Sequence, residues 1–420
     1  MLREYWKTLR NFSANARLYL AASGLIGLAS GLQYLFFNLY VLSLGYDQAF
    51  VGLLASIPAL VTAVSALPIA MILPRLGYRR SLLGGIALLV AAFVGWAFFP
   101  SQTVLLAAAV VLGFCTALLA VSSSPLMVAV SDGGTRTHLF GVQFAVNTFS
   151  GVFANLIGGY LPVLFNALTA HSLQGATAYR GVFVVGMALS LLALGPALRM
   201  SGLKGLRERP VTPRQLRPHA GVLGKLLAVE ITGSLGAGML MPFVNVFYRL
   251  RFTFSDPSIG LVFAASSLLT GIGAILAPVV AARWGKVRAI VLVQGLSIPF
   301  LILMGFIPLG PVSAASYLVR TALMNMGSPL FPAYAMGLVP TRIRPLTAGL
   351  MMLAWNAGWA LSSWISGHIQ VAYGFAPLFV ITGSLYVTST LLTFSFFRRV
   401  KEQPDDLSPE TVVLDELERS

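Results

Sequence analysis

The sequence predicts an all-α polytopic membrane protein, twelve transmembrane helices in two pseudo-symmetric six-helix bundles, and three observations lead there. Of 420 residues, 57% are hydrophobic and 10% charged, against about 25% charged in a soluble domain. Predominantly apolar runs of roughly 18 residues or more, the length a helix needs to cross a bilayer, recur twelve times. A basic, Gly-containing turn, PRLGYRR at 74–80, returns as ARWGKVR at 282–288, so that Arg75 and Arg283 stand 208 residues apart, half the chain.

The spans follow in order. The N-terminus is basic ahead of a long apolar run with no clear small-residue cleavage site, which reads as an uncleaved first span at 16–43. The next five lie at 49–73, 81–99, 102–129, 139–165 and 178–199. The stretch SGLKGLRERPVTPRQLRPHAG, with Pro210, Pro213 and Pro218, then makes a basic linker at 200–221. It is the largest gap between spans and too short for a soluble catalytic domain, so an enzyme is not expected. Six more spans follow at 222–248, 258–281, 288–308, 312–338, 346–371 and 375–397, ahead of a tail at 398–420. Such segments must satisfy their backbone groups internally, and their Ala, Leu and Gly content favours helices over the alternation of a membrane barrel. The domains expected are a bundle at 1–199, the linker, a bundle at 222–397 and the tail.

Charge gives the orientation. With twelve spans, both termini share one side, and 24 of the 28 Lys and Arg residues fall there; Arg180, Arg249 and Arg251 lie opposite and Arg320 inside a span. The positive-inside rule makes that side cytoplasmic, with the plasma (inner) membrane as the expected location. The net charge of +15 therefore answers to topology and anionic headgroups rather than to nucleic acid. Cys115 is the single cysteine, which excludes an intrachain disulfide and a thiolate metal cluster, and His138, His171, His219 and His368 have no ligand spacing. No phosphate-binding loop is present, so no metal, nucleotide or other cofactor is expected.

The half-chain offset holds at further landmarks. Gly52 precedes Arg75 by 23 residues, as Gly260 precedes Arg283; Asn38 in FNLY pairs with Asn245 in VNVF at an offset of 207; Gly141 and Gly349, each five residues after an arginine (Arg136, Arg344), are 208 apart. A coherent offset indicates two parallel repeats. On these residues the chain resembles the major facilitator superfamily, whose loop signature reads G-x-x-x-D-R-x-G-R-R. AMILPRLGYRR supplies Arg75, Gly77, Arg79 and Arg80, and the second half supplies Arg283, Gly285 and Lys286. Ala70 and Pro278 replace the first Gly, and Pro74 and Ala282 the Asp, so the family's Asp-dependent charge network between halves does not carry over. The glycines still permit a tight turn, and the arginines can meet lipid phosphates and helix C-terminal carbonyls. The resemblance implies secondary transport of a small molecule by alternating access. Protons, membrane lipids and a monomeric state are the other expectations.

A charge near the bilayer centre costs about 2.5–3.5 kcal/mol on insertion scales and tends to be kept for use. Glu230 is the one acid of 13 inside a span, eight residues past Val222 and so about 12 Å in. It reads either as a proton carrier or as a carboxylate hydrated in a vestibule or paired with a loop arginine; Lys225, five residues away, is off its face. Arg320 reads as a holder of an anionic substrate group, or as a side chain bonded to carbonyls or snorkelling outward. Helix arithmetic separates the two by about 13 Å in depth, too far for a direct pair without a break in a helix. Gln143, Asn147, Gly151 and Asn155 recur every four residues on the fifth span. Asn356, with Trp355 and Trp359, marks the eleventh. In the family these two spans flank the interface between halves. Gln33, Tyr34 and Asn38, Asn245 and Tyr248, and Asn325 complete the cavity candidates, against the alternative of interhelical hydrogen bonding and packing. GVFANLIGGY is similar to the family's antiporter motif G-x-x-x-G-P-x-x-G-G, with Asn155 and Leu156 in place of Gly-Pro. The leading expectation is proton-coupled export of small amphipathic or drug-like solutes, favoured by an aromatic, sparsely charged cleft. Uptake or facilitated passage of an anionic metabolite is the second, and a lipid flippase the third.

Overall fold

The computed structural model describes residues 12–132, 134–168, 175–201 and 213–400. The linker between 202 and 212 and the tail from 401 lie outside the described residues. Among the described residues the chain forms fourteen α-helices and no strand. These are α1 Ala14–Ser43, α2 Gln48–Leu76, α3 Tyr78–Phe98, α4 Gln102–Val130, α5 Arg136–Leu168, α6 Gly175–Arg199 and α7 Ala220–Leu240, followed by α8 Val244–Phe252, α9 Asp256–Trp284, α10 Lys286–Phe306, α11 Gly310–Gly327, α12 Leu330–Gly337, α13 Arg344–Tyr373 and α14 Ala376–Phe397.

They fall on the twelve expected spans, because two spans are broken. A 3₁₀ turn at Met241–Phe243 joins α7 to α8, where Pro242 lacks the N–H that a continuous helix needs. Pro329, between α11 and α12, has the same effect. Ten helical segments, Leu216–Phe252 among them, are long and apolar enough by themselves to cross a membrane. The exceptions are the broken tenth span and α13, whose length is interrupted by Asn356, Ser362, Ser363, Ser366 and Gln370. Helix starts are fixed by side-chain caps: Ser13 accepts from Ala16 N at 3.1 Å and Asp47 from Phe50 N at 2.9 Å.

The duplicated basic turns have one geometry. Gly77 ends α2 at φ 81°, ψ 148°, and Gly285 ends α9 at φ 79°, ψ 153°, a conformation that favours glycine. Arg79, two residues on, donates Nη2–H to the Leu198 carbonyl at 2.5 Å, so it neutralises the C-terminal end of α6. Both turns lie on one face of the molecule, called here the basic face; the turns after α1, α3, α8, α10 and α13 lie on the far face.

The two halves meet along α2 with α13 and α5 with α9. Each seam closes at glycines near the far face. A Cβ on Gly52 would stand 2.7 Å from the Ser363 carbonyl oxygen and 2.9 Å from Gly367 Cα; one on Gly260 would stand 2.5 Å from the Asn155 carbonyl oxygen and 2.8 Å from Gly159 Cα. Gly52 and Gly260 share one repeat register, as do Gly159 and Gly367, so the seams are copies of each other. The core has the same polarity. One apolar cluster, including Phe36, Trp96 and Phe183 with Phe247 and Phe379, joins both halves toward the far face. Toward the basic face each half keeps its own, around Ile86 and Leu126 in the first and Ile290 and Phe331 in the second. The halves are thus fused at the far side and parted at the basic side.

Candidate functional site

Where the fused and parted regions meet, a cavity of about 150 Å³ lies between the halves. Gln33, Tyr34 and Asn38 reach it from α1, Trp96 from α3, Pro242 from the break after α7 and Trp359 from α13. Tyr34 and Asn38 are one helical turn apart and so share a face. Tyr34 is half exposed, and its ring stands 6.1 Å from Phe263 of α9.

The roof of the cavity is a reciprocal clasp. Asn38 donates its amide to the Pro242 carbonyl at 2.5 Å, and Asn245 donates its own to the Leu35 carbonyl at 2.8 Å. Asn38 with Asn245, and Leu35 with Pro242, are repeat partners at the same offset of 207, so each half gives the other the same bond. Farther out, Asp256 at the start of α9 accepts from the Tyr179 hydroxyl of α6 at 2.9 Å and is ion-paired with Arg249 of α8. Tyr179 belongs to the first half and Asp256 to the second, so this cluster also bridges them.

Arg320 is buried on α11 and is not on the cavity wall; it touches Met241, the chain neighbour of the cavity-lining Pro242. Its Nη2 donates to the Tyr386 hydroxyl of α14 at 2.8 Å, its Nη1 meets the Met241 thioether at 2.7 Å, and its guanidinium stands 5.3 Å from the Tyr386 ring centre. The buried cation–π contact offsets roughly 2 kcal/mol of the cost of burying the charge. Tyr317, one turn earlier, receives a 3.4 Å hydrogen bond from Ser266. Met241 is eleven residues beyond Glu230, so the arginine and the acid are about 16 Å apart along the helix axis, in line with the separation the sequence implies.

Glu230 is partly buried on α7 in the parted half. Among the described residues no hydrogen bond or ion pair engages its carboxylate. Its repeat counterpart, 207 residues earlier, is Ser23, which is fully engaged. Gln143 donates to Ser23 at 2.5 Å and to the Asn147 carbonyl oxygen at 3.4 Å, and Ser23 donates to that oxygen at 3.3 Å. At the registers of Gln143 and Asn147 the second half has Met351 and Trp355, so the amide partners of the first half have no equivalent there.

The other predicted residues divide. Trp355 is exposed, 6.4 Å from the Trp359 ring, and Asn147 is exposed while Gln143 is buried. Asn325 and Asn356 bond carbonyls of their own helices, Thr321 and Met352, at 2.9 and 2.8 Å. Tyr248 is fully buried, stacked on Phe254 at 5.2 Å with its hydroxyl on the Ser313 carbonyl, in the far-face plug rather than on the cavity wall. Asn245 is likewise buried, in the clasp. Asn155 spans the α5–α9 seam to Ser267 at 3.1 Å. The loop-motif residues Arg75, Arg80, Arg283 and Lys286 sit at the basic turns, away from the cavity, with Arg283 over the Trp284 ring at 5.7 Å.

Sequence reading missed Trp96, Pro242, Met241, Tyr386 and the Tyr179–Asp256–Arg249 cluster. Part of this was recoverable, since extending the 207-residue offset from Asn38 to Leu35 reaches Pro242. An apolar groove of about 440 Å³ between α1 and α5, walled by Leu25, Leu28, Phe149 and Phe153, lies on the other side of α5 from the residues that meet α9.

Comparisons with known proteins agree with this architecture. The chain is similar in structure to the nucleoside transporter NupG, with a TM-score of 0.71 and 14% identity over 92% of this chain and 100% of that one. It is similar to a D-xylose–proton symporter, with a TM-score of 0.71 and 16% identity over 92% and 98%. A bacterial homolog of the human lysosomal transporter Spinster, inward-facing and unoccupied, gives a TM-score of 0.71 and 16% identity over 92% and 95%. No protein of curated function matches the sequence. The family model for the Major Facilitator Superfamily matches residues 19–229 and again 226–416, once for each repeat. The chain is therefore a transporter rather than an enzyme, and it belongs to the Major Facilitator Superfamily.

Proposed function

We propose that this protein is a proton-coupled secondary transporter of small amphipathic solutes, working by alternating access, with the basic face cytoplasmic and Glu230 as the proton carrier. The observation that carries the reading is the lone carboxylate. Glu230 sits in the parted half of the molecule without the amide partners that hold Ser23 in the other repeat. A carboxylate in such a place can gain a proton when the cleft faces one side and lose it when it faces the other. A cavity walled by Trp96, Trp359 and Tyr34 with the amides of Gln33 and Asn38 suits a substrate with one aromatic or apolar face and a few polar groups.

With the basic face cytoplasmic, the parting of the halves faces inward, the state in which an exporter would load its solute and an importer release it. The support for export is the far-face seam at Gly159, within the stretch similar to the antiporter motif. Proton coupling is named for the xylose symporter among the structural neighbours.

The test uses proteoliposomes loaded with the pH dye pyranine and presented with a set of single-ring amphipathic solutes. Glu230→Gln is expected to abolish substrate-driven proton movement and gradient-driven accumulation while substrate exchange persists. Accumulation of unchanged size in Glu230→Gln removes Glu230 from the mechanism.

A further inference from the structure

Arg320 carries a charge that no acid among the described residues answers. The described ion pair of this region belongs to Arg249 and Asp256, and Glu230 is about 16 Å away along α7. The guanidinium has five N–H donors. One meets the Tyr386 hydroxyl and one the Met241 thioether, a weak acceptor, while Nε is buried with no acceptor. A buried cation with spare donors and a sulfur where an oxygen would bind far better is the arrangement an incoming anion completes.

The two partners also give a direction of approach. Tyr386 comes from α14 and is not on the cavity wall, whereas Met241 belongs to the 3₁₀ break next to Pro242, which lines the cavity. Tyr34, in the cavity wall, is linked to the helix of Arg320 through Phe263 and Tyr317, with ring centres 6.1 Å apart at each step, and occupies the register of Met241 in the first repeat. An anion arriving through the cavity therefore meets the thioether side of the guanidinium, the side that is weakly held.

We propose that Arg320 anchors the carboxylate of a single-ring aromatic substrate, whose oxygens displace the Met241 thioether while the ring lies among Tyr34, Trp96 and Trp359. The cavity volume of about 150 Å³ sets the single ring, and the fork of the guanidinium, which engages two oxygens at once, sets the carboxylate. This names the substrate class for the transporter reading and rests on it.

The experiment measures equilibrium binding in detergent, without a gradient, so a wrong assignment of proton coupling at Glu230 leaves it untouched. Phenylacetate and phenylacetamide, nearly equal in size and different in charge, are titrated by calorimetry into the wild-type protein and Arg320→Met. The wild type is expected to bind phenylacetate at least tenfold more tightly than phenylacetamide, and Arg320→Met to lose that preference. A wild type that shows no preference, including one that binds neither probe, overturns the assignment. A second variant guards against misfolding of Arg320→Met. Met241→Glu places a carboxylate on the chain itself where the substrate's is proposed to sit. It is expected to raise the thermal unfolding midpoint of the wild type, to lower that of Arg320→Met, and to abolish phenylacetate binding. A lower midpoint in the Arg320 background shows that the cation is not short of an anion, and the proposal falls.

Discussion

The first and second halves keep one register, at an offset of 207 or 208, through their first five spans, and they differ most where the cavity is. In the first half α1 runs unbroken for 30 residues and α4 for 29. Their counterparts in the second half are interrupted, at Met241–Phe243 and at Ser328–Pro329. Tyr34 and Leu35 of α1 become Met241 and Pro242, and Ser23 becomes Glu230. Glu230, partly buried, and Arg320, buried, both lie in the second half, while the first contributes amides and aromatic rings. A break frees backbone carbonyls for use as ligands, and the Pro242 carbonyl is used in this way by Asn38. Duplication thus accounts for the seams, turns and clasp, and divergence of one copy accounts for the chemistry.

The sharpest way to break that comparison is to exchange weight between registers. Glu230→Gln is expected to abolish gradient-driven transport, and Ser23→Ala, at the same register in the first half, to change it by no more than about twofold, since it removes two neutral hydrogen bonds between α1 and α5. Proteoliposome accumulation measures both. Equal losses would mean that the two halves share the coupling, and that the asymmetry between Ser23 and Glu230 is structural only.

The scaffold was more legible than the site, for a physical reason. Spans, turns and repeat follow from hydropathy, glycine and charge along one dimension, and Arg75 with Arg283 was enough to find the symmetry. Which side of a membrane helix faces the cavity depends on its rotation against its neighbours, and composition does not encode that. Tyr34 and Tyr248 look alike in sequence, yet one is half exposed in the cavity and the other is fully buried in the plug. The clasp escaped because its acceptors are carbonyls, which every residue has. The partners of Arg320 escaped because Met241 and Tyr386 are 79 and 66 residues away.

A second comparison is between the two seams. Because Gly52 and Gly260 occupy one register and meet backbone on the opposite half, Gly52→Val and Gly260→Val should act alike. Each holds the far face apart and lowers transport at least tenfold. The check pairs transport with alkylation of a far-face cysteine, at Ser101, in a Cys115→Ser background. Loss from one variant alone would show that the seams carry unequal loads.

The clasp gives a smaller effect of the same kind. Asn38→Ala or Asn245→Ala removes one cross-half bond, a net cost of about 0.5–1.5 kcal/mol, with 1.4 kcal/mol equal to a factor of ten. Distance distributions between spin labels at Ser101 and Leu309, both exposed on the far face, should move toward the far-open form by up to about tenfold in either variant. A difference of more than threefold between the two would break the reciprocity.

The smallest effect separates the two basic-face turns by pH. After α4, Asp132 accepts from Thr135 N at 2.8 Å and from its hydroxyl at 2.6 Å, and these bonds hold its carboxyl below the usual aspartate range. A group whose pKa falls on folding stabilises the folded turn above its unfolded value, about 3.9, and that contribution is lost as pH falls through the lower folded value. In the second half the same register holds Pro340, followed by the 3₁₀ turn Thr341–Ile343, whose φ is fixed by a ring rather than by a carboxylate. Amide exchange corrected for intrinsic rate should therefore lose protection at Thr135 and Arg136 between pH 6 and pH 3, while Ile343 keeps its own. Asp132→Asn should reproduce part of that loss at pH 6. Because Asp132 is exposed, the change is a local one, read at a few amides, and parallel loss at Ile343 would show instead that acid loosens both halves together.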